Sequence, residues 1–332
     1  MIRPLSIFTA AFALAGPAVA QSSDGADAMA SQDRISAQAI NQSVPAGGPL
    51  PEGQSPMTAR LQVLLDRAGA SPGVIDGWEG ENVDKALRAL EEMNGLPVDG
   101  RMDEEVWATL EDRTGDAFIR HTISEDDVSR IVAPLPEDYA QLAERDWLGY
   151  TSAAEKIAER FHMDMEFLKM LNPDADFTAV GTEIWVADPG EDAKPEIARL
   201  VADKSLARLL AYDGNDRLVL SYPVTIGSDE LPSPSGIHEI AAVAVEAAYS
   251  YRPSENFQQG DNDEPLRLPP GPNGPVGIVW IDLSEPTYGL HGTPEPDEID
   301  KSASHGCVRM TNWDALELAH AVEPGVPVEF RE

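Results

Sequence analysis

Short apolar and β-branched runs, separated by turns, fill the C-terminal part of the chain from about residue 195. The predicted strands lie at Ile197 to Val201, Leu206 to Asp213, Leu218 to Ile226, Gly236 to Ala242, Val276 to Leu283 and Pro327 to Phe330. One helix, Trp313 to Val322, comes late, and the weakly apolar stretch from Tyr249 to Leu268 suits a long loop or lid. Many short strands with a single late helix predict a β-rich sandwich or a partly closed barrel over 195–332.

Helical spacing replaces this pattern over residues 56–113. Apolar residues recur there at helical intervals in three runs, and the turns at Asp76-Gly77 and Asp99-Gly100 separate the runs. We therefore predict a three-helix unit. The preceding residues 21–55 contain few large apolar side chains, so burial cannot offset the cost of ordering them, and we predict a disordered segment there.

A third pattern, over residues 146–189, combines helices with strand-like ends. The predicted elements are a short strand at Tyr150-Thr151, helices over Glu155 to Phe161 and Met165 to Leu171, and a closing strand within Gly181 to Val186. We predict a compact α+β domain here. A linker over 114–145 would join it to the helical unit. The chain as a whole is thus predicted to be a multidomain α+β protein.

The N-terminus has the pattern of an export signal. Arg3 is followed by an apolar run from Leu5 to Ala15 and by the small residues Ala18-Val19-Ala20. The apolar run is too short to span a bilayer, and no later run is longer. We expect residues 1–20 to be a cleavable signal peptide. The mature protein would then be a soluble protein of the periplasm, without a membrane anchor.

Charge excludes some classes of partner. The formal net charge is −34, and it becomes −35 without the predicted signal peptide, which carries only Arg3. Nucleic acids and anionic membranes carry the same sign of charge, so this chain is a poor candidate to bind either of them. We expect no nucleic-acid partner.

The only cysteine of the chain, Cys307, lies in a run that suits an activated nucleophile. Exported proteins usually pair their cysteines, so a single one indicates a free thiol with a chemical role, although a small buried hydrophobe is the alternative. His291-Gly292-Thr293 precedes it and supplies a base, and Arg309 follows as a cation that favours thiolate or binds a carboxylate. Backbone N–H groups around Gly306, Cys307 and Val308 could form an oxyanion hole. These residue types suit acyl transfer through a thioester.

Zinc binding is the rival explanation for histidine and cysteine in one short stretch. Zinc takes three or four ligands, so Cys307, His291 and His305 would need a carboxylate such as Asp297 or Asp300. No compact metal motif supports that arrangement. We expect no metal and no cofactor.

The run HGT followed by SHGCVRM resembles the signature of the L,D-transpeptidase (YkuD-like) catalytic domain. Supporting pieces of the resemblance are Pro232 to Gly236, Gly271 to Gly277 and Thr311-Asn312-Trp313. The resemblance implies a cysteine nucleophile at Cys307, a base at His291, and an orienting backbone carbonyl at Gly292. It further implies an oxyanion and substrate pocket formed by Ser304, His305, Gly306, Val308, Arg309 and Tyr288. His305 could tune the thiol or bind substrate, and His238 is pocket lining at most.

Two further resemblances concern the N-terminal half. The three-helix unit over 56–113 resembles the peptidoglycan-binding domain that accompanies many cell-wall enzymes. The segment 146–189 resembles a LysM carbohydrate-binding module. It departs from that family at Ser152-Ala153-Ala154-Glu155, where Gly-Asp-Thr-Leu is usual, so the fold resemblance is stronger than the expectation of glycan binding.

These resemblances imply an enzyme of cell-wall biogenesis. The thiolate would attack the third residue of a peptidoglycan tetrapeptide stem and release the terminal D-alanine, and a second stem would resolve the thioester into a crosslink between two diamino acids. Other acceptors stay open, namely water in an L,D-carboxypeptidase or hydrolase, and a protein or D-amino acid that becomes attached to the wall. A catalytically inactive peptidoglycan-binding scaffold is the remaining alternative.

Overall fold

The computed structural model describes residues 35–45, 48–111, 115–228, 231–254, 257–302, 304 and 306–332. The predicted signal peptide and the first part of the predicted disordered segment lie outside these residues. Four helices come first: α1 Ala37–Gln42, α2 Pro56–Arg67, α3 Glu81–Asn94 and α4 Glu104–Glu111. The last three correspond to the predicted three-helix unit. Ser55 caps α2 through its side chain, and Gly95 ends α3 with a φ of 68° that glycine adopts without strain.

The prediction of disorder over 21–55 is wrong for its described part. Ser36 caps helix α1, and Ile40 on that helix is fully buried among apolar side chains of the following domain. The Asn41 amide donates to the carbonyl O of Phe118 and accepts from the N–H of the same residue, each at 2.8 Å. The segment is ordered because its few apolar side chains have a neighbour to pack against, which its own composition does not reveal.

The α+β domain differs from the prediction in its first strand. It consists of β1 Phe118–Thr122, α5 Tyr139–Ala143, α6 Ala153–Arg160, α7 Met165–Leu171 and β2 Glu183–Ala187. The partner of β2 is β1, in antiparallel register, so the strand expected at Tyr150-Thr151 is wrong. Those two residues precede helix α6 and hydrogen-bond to its side chains instead. Strand β1 and helix α5 both fall within 114–145, the segment predicted as a linker.

One mixed eight-stranded sheet forms the C-terminal part. Its strands are β3 Arg199–Asp203, β4 Arg208–Tyr212, β5 Leu218–Pro223, β6 Gly236–Val245, β9 Val279–Leu283, β10 Gly289–His291, β11 Val308–Arg309 and β12 Pro327–Arg331. Their order across the sheet is β11-β10-β9-β6-β12-β3-β4-β5. The positions of the predicted strands are close to these bounds.

The sheet is curled, which matches the predicted partly closed barrel and not a sandwich of two sheets. Strand β6 pairs with β12 along its first half and with β9 along its second half, with a bulge between Ile240 and Ala242. The chain after β5 returns to the opposite edge, where the N–H and C=O groups of Thr225 and Arg309 exchange two hydrogen bonds of 2.9 Å. The long strand β6 thus joins the two halves of one sheet.

Helix α8, Asn312–Ala321, packs inside this curl, and its residues Ala315 and Leu318 belong to the main apolar core. The predicted lid from Tyr249 to Leu268 carries a short antiparallel pair, β7 Tyr249–Tyr251 and β8 Leu266–Leu268. Within the described residues, no helix is both long enough and apolar enough to cross a membrane.

The helical unit and the α+β domain both pack on the sheet domain. Leu61 and Leu64 of α2 share an apolar cluster with Leu210 and Tyr212 of β4. In the α+β domain, the side chain of His162 stacks on Trp313 at the start of α8, with ring centroids 5.1 Å apart and an interplanar angle of 11°. The described residues from 35 onward therefore form one compact unit.

Candidate active site

Two adjacent strands at one edge of the curled sheet bring the predicted nucleophile and base together. Strand β10 ends at His291, and β11 begins directly after Cys307; the two strands run parallel, with His291 opposite Arg309. The loop 292–306 connects them and contains a short 3-10 helix, Pro296–Glu298. At its end the Ser304 N–H donates to the carbonyl O of Ile226 at 2.8 Å. The parallel pairing therefore places residues distant in sequence beside each other.

His291 and Cys307 line one cavity of about 270 Å³, which we call the cysteine cavity. Its walls are mostly aromatic and apolar: Tyr139, Leu231, Tyr249, Phe257, Pro275, Val276, Trp280, Thr287, Tyr288, His291, Ser304, Cys307 and Arg309. Five of the predicted site residues are among them. A cavity with apolar walls and a few convergent polar groups is the usual form of a small-ligand site.

The imidazole of His291 is buried and fixed in orientation. Its Nδ1 lies 2.7 Å from the carbonyl O of Gly292, and because a carbonyl oxygen only accepts, Nδ1 carries the hydrogen and Nε2 is left as the acceptor. The Trp280 ring stacks on it, with centroids 5.7 Å apart. Burial lowers the pKa of His291 to about 4, and the positive charge of Arg309 acts in the same direction. The imidazole is therefore a neutral base at physiological pH.

The free thiol of Cys307 is held in its protonated form. Burial raises the pKa of Cys307, although a hydrogen bond from the Gly289 backbone and the charge of Arg309 lower it in part. The Sγ atom lies 3.7 Å from the carbonyl O of Thr287. Within the described residues, no hydrogen bond joins Sγ to His291. The structure thus shows a neutral thiol and a neutral imidazole on the wall of one cavity.

The turn that carries Cys307 is held by the Ser304 side chain. The Ser304 hydroxyl donates to the carbonyl O of Cys307 at 2.5 Å and accepts from the Gly306 N–H at 3.2 Å. Gly306 has a φ of 112°, and a Cβ atom there would lie 2.8 Å from the Tyr288 ring. Only glycine fits this position. His305, whose role the sequence left open, lies outside the described residues.

The turn before β10 contains a strained residue. Thr287 has a φ of 74°, which is a rare conformation for a β-branched residue. Its carbonyl is the group that faces Sγ of Cys307. The next residue, Tyr288, places its hydroxyl 3.4 Å from the carbonyl O of Pro232. Such strain persists where the surroundings enforce it, and it is common at functional sites.

The guanidinium group of Arg309 has no hydrogen-bond or ion-pair partner among the described residues, in a chain with 58 acidic and 24 basic residues. Val308, its neighbour in β11, is fully buried and anchors the strand. The charge of Arg309 acts on the titration of His291, Cys307 and Tyr139, which places all four around the cavity. An unpaired arginine in such a cavity suits the binding of a carboxylate.

Part of the cavity wall comes from residues that the sequence does not indicate. Tyr139 lies on α5, in the segment predicted as a linker, and its ring contacts Tyr249 and Phe257 edge-on at centroid distances of 6.3 and 6.2 Å. Tyr249 and Phe257 belong to the predicted lid, for which no side-chain role was proposed. His238, which was considered for the pocket, does not line it; its Nε2 lies 3.1 Å from the carbonyl O of Ser235.

The carboxylates considered as zinc ligands face away from the thiol. The Oδ2 atom of Asp300 lies 2.6 Å from Nζ of Lys85 on α3. Asp297 and Asp300 line a second cavity of about 690 Å³, which we call the acidic cleft; its other lining residues are Gln62, Pro72, Val74, Asp76, Trp78, Glu79, Gly80, Glu81, Asn82, Val83, Asp164 and Lys301. In the part of the chain that the structure describes, no three His, Cys, Asp or Glu side chains are grouped to hold a metal ion.

Comparison with known proteins identifies the two outer domains. The family model described as the L,D-transpeptidase catalytic domain, YkuD, matches residues 197–330. The family model described as "Putative peptidoglycan binding domain" matches residues 54–110, which cover the three-helix unit. The α+β domain between them falls outside both matches.

Two relatives with similar sequences support the same assignment. The chain is 31% identical over 176 residues to the "Putative L,D-transpeptidase YkuD" of Bacillus licheniformis, covering 53% of this chain and 92% of that protein. It is 32% identical over 174 residues to the protein of the same name from Bacillus subtilis, covering 52% and 89%. A crystal structure of L,D-transpeptidase 3 from Mycobacterium tuberculosis aligns with a TM-score of 0.33 at 18% identity, covering 47% of this chain and 77% of that chain. On the two sequence matches, the chain belongs to the L,D-transpeptidase family of enzymes.

Proposed function

We propose that this protein is an exported cysteine L,D-transpeptidase that acts on peptidoglycan tetrapeptide stems through a thioester acyl-enzyme. The observation that carries the proposal is the fixed, neutral imidazole of His291 beside the free thiol of Cys307. The hydrogen bond to Gly292 O leaves Nε2 as the acceptor, so the backbone carbonyl takes the orienting part that a carboxylate has in a catalytic triad.

In the first half-reaction, Sγ of Cys307 turns from Thr287 toward Nε2 of His291 and transfers its proton there. The sulfur attacks the carbonyl carbon of the third stem residue, a C–S bond forms, and the C–N bond to the terminal D-alanine breaks. The imidazolium returns its proton to the leaving amine. Because the Gly306 N–H donates to Ser304, we propose that the Cys307 N–H is the main donor to the oxyanion.

In the second half-reaction, an amine of a neighbouring stem attacks the thioester. Its nitrogen forms a C–N bond with the acyl carbon, the C–S bond breaks, and His291 takes the amine proton and returns it to the sulfur. The result is a crosslink between two diamino acids. The aromatic wall of Tyr139, Tyr249 and Phe257 shields the thioester from water, which favours an amine acceptor over hydrolysis.

Arg309 gives this cavity its preference for an anionic substrate. Donor stems carry free carboxylates, and among the described residues no acidic side chain pairs with the guanidinium group in the cavity. We propose that Arg309 holds a stem carboxylate through two N–H donors. The mostly acidic remainder of the surface would repel the same substrate, so the cavity is where it binds.

The N-terminal part directs the enzyme to its polymer. We propose that the peptidoglycan-binding domain, and the α+β domain if it acts as a LysM-like module, hold the glycan while the cavity works on the peptides. Two antiparallel strands around two helices support the LysM comparison. Export to the periplasm stays a proposal that rests on the signal pattern of residues 1–20.

Incubation with disaccharide-tetrapeptide fragments tests the proposal. The protein from Gln21 onward and its Cys307→Ala variant are compared by mass spectrometry of the products. The proposal predicts a dimer that is lighter than two monomers by one D-alanine, absent with Cys307→Ala. Tripeptide alone would identify water as the acceptor and support an L,D-carboxypeptidase. No product with either protein would support an inactive scaffold.

A further inference from the structure

Three residues behind the cysteine cavity are in tight contact. Gly292, whose carbonyl orients His291, and Gly277, in the loop before β9, both pack their Cα atoms against Oδ1 of Asn312, and a Cβ atom on either glycine would clash with that oxygen. A Cβ atom on Gly277 would also lie 2.7 Å from the carbonyl carbon of Gly292. The position of the Gly292 carbonyl is therefore set by Asn312.

Hydrogen bonds engage both the oxygen and the nitrogen of the Asn312 amide. Its Oδ1 accepts from the Ile278 N–H at 3.2 Å, and its Nδ2 donates to the carbonyl O of Pro272 at 3.1 Å. The same Nδ2 also lies 3.1 and 3.0 Å from the two carboxyl oxygens of Glu159. Asn312 thus joins the loop before β9, the first turn of helix α8 and Glu159.

Glu159 comes from a different domain. It lies on α6 of the α+β domain, outside the residues that match either family, 54–110 and 197–330. It is 8% exposed, and no cation among the described residues pairs with it; the hydroxyl of Tyr150 lies 3.4 Å from its Oε2. A buried carboxyl without a cationic partner costs stability, so its position calls for an explanation by function.

The same face of the α+β domain holds the loop before β9 at other points. The Leu148 N–H donates to the carbonyl O of Pro270 at 3.0 Å, and the Asn273 N–H donates to the carbonyl O of Leu148 at 3.0 Å. The Asn273 side chain donates to Oε1 of Glu155 at 2.5 Å. This loop supplies Pro275 and Val276 to the cysteine cavity. The α+β domain therefore supports the wall and the base of the site together.

We propose that Glu159 is a positioning residue for His291, acting through Asn312 and the carbonyl of Gly292. It fixes Asn312, Asn312 fixes the Gly292 backbone, and the Gly292 carbonyl keeps the hydrogen on Nδ1 of the imidazole. An imidazole with its hydrogen on Nε2 cannot accept the proton of Cys307. Loss of the support from Glu159 therefore lowers the fraction of molecules in which His291 can act as the base. The part of this inference that concerns turnover rests on the proposed function, whereas the part that concerns the imidazole does not.

Three variants at position 159 separate hydrogen bonding from packing. Glu159→Met keeps the length of the side chain without its acceptors, Glu159→Ala removes both, and Glu159→Gln restores one acceptor oxygen for Asn312. The control is Asp66→Asn, which removes the negative charge from the 2.8 Å contact between Asp66 and Nδ1 of His162, a contact that joins the α+β domain to the helical unit. That control weakens the contact between the domains without removing any hydrogen bond of Asn312.

The first readout is the tautomer of His291, followed by NMR with ¹⁵N-labelled histidine and assigned by the signal that His291→Ala removes. We expect only the Nδ1–H form in the parent protein, in Glu159→Gln and in Asp66→Asn. In Glu159→Met and Glu159→Ala we expect a mixture with the Nε2–H form. A single Nδ1–H form in every folded variant would overturn the proposal, whatever the enzyme does with its substrate.

The second readout is turnover of disaccharide-tetrapeptide. Glu159→Met is expected to lose about tenfold or more in kcat with KM changed less than about threefold, because orientation of the base is lost and substrate binding is not. Glu159→Gln should recover most of that loss. An equal loss in Asp66→Asn would contradict a specific role for Glu159. No turnover by the parent protein would instead count against the proposed function.

Discussion

Two cavities flank the loop 292–306, and they differ in the charge and the chemical groups of their walls. The acidic cleft is the larger, at about 690 Å³, and carboxylates dominate its charged groups. The cysteine cavity is smaller, at about 270 Å³, with aromatic walls, a neutral base, a thiol and a guanidinium group that has no ion-pair partner among the described residues. One loop thus separates a surface that repels anions from a pocket that attracts them.

The difference shows that volume alone does not locate a site. A substrate that carries carboxylates is repelled by the cleft, where Lys301 is the only cation among the lining residues and Asp76, Asp164 and Asp297 are close by. In the cysteine cavity the balance of charge is reversed, because its described lining residues include Arg309 and no acidic residue. Burial there also keeps His291 neutral, and a neutral base is what proton transfer from a thiol requires.

The largest expected difference between the two cavities is in the effect on turnover of replacing Cys307 in one and Asp297 in the other. Cys307→Ala should reduce turnover of disaccharide-tetrapeptide by more than about 1000-fold, because the thioester cannot form. Asp297→Asn, an exposed change in the acidic cleft, should leave turnover within about twofold. Product analysis by mass spectrometry measures both. A loss of similar size in the two variants would remove the distinction between the cavities.

The two cations give the next contrast. Arg309→Gln should lower kcat/KM by about 10- to 100-fold, the size expected when charged hydrogen bonds to a carboxylate are lost. Lys301→Gln, on the exposed side of the loop, should change kcat/KM by less than about twofold. Steady-state kinetics with the same fragment tests the pair. Equal kinetics for Arg309→Gln and the parent protein would rule out substrate binding by the guanidinium group.

The pH profile tests the neutral base. The imidazole must be unprotonated to accept the thiol proton, so activity is lost as the pH falls through the pKa of His291, about 4. We expect kcat/KM to stay level from about pH 5 to pH 8 and to fall by half near pH 4, because burial favours the neutral form. A midpoint near the ordinary value of about 6.5 would show that burial does not tune this histidine.

The smallest effect is expected at Trp78, which is 53% exposed in the acidic cleft. Trp78→Ala should leave kcat/KM for soluble fragments within about twofold, because Trp78 lines the acidic cleft and is not among the lining residues of the cysteine cavity. The variant should also melt close to the parent protein, since an exposed side chain contributes little to the core. A loss above about tenfold on soluble fragments would place substrate in the cleft.

Local sequence patterns were sufficient for most of the regular structure. The helices α2, α3 and α4 and the strands β3, β4 and β5 repeat the apolar periods from which they were predicted. Helix α1 and strand β1 were missed because their apolar residues are few, and both are ordered by contacts with distant parts of the chain. Ile40 on α1 is an example, since most of the apolar cluster that buries it comes from outside its own segment.

The residues of the site also fall into those that a local motif predicts and those that depend on distant contacts. Cys307, His291, Gly292 and Arg309 could be predicted because they lie in one motif, and the parallel pairing of β10 and β11 brings them together. Tyr139 could not, because its place in the cavity wall depends on α5 packing against the hairpin of β7 and β8. Glu159 could not either, because nothing local distinguishes it from the solvated glutamates of an acidic chain.

The most direct test of the account is the mass of the acyl-enzyme. The protein is mixed with disaccharide-tetrapeptide, quenched in acid within seconds, digested and analysed by mass spectrometry. We predict that the peptide containing Cys307 gains the mass of the fragment minus one D-alanine, in a hydroxylamine-sensitive linkage, and that His291→Ala forms this adduct far more slowly. Release of D-alanine without any adduct on Cys307, or an adduct on another residue, would contradict the account.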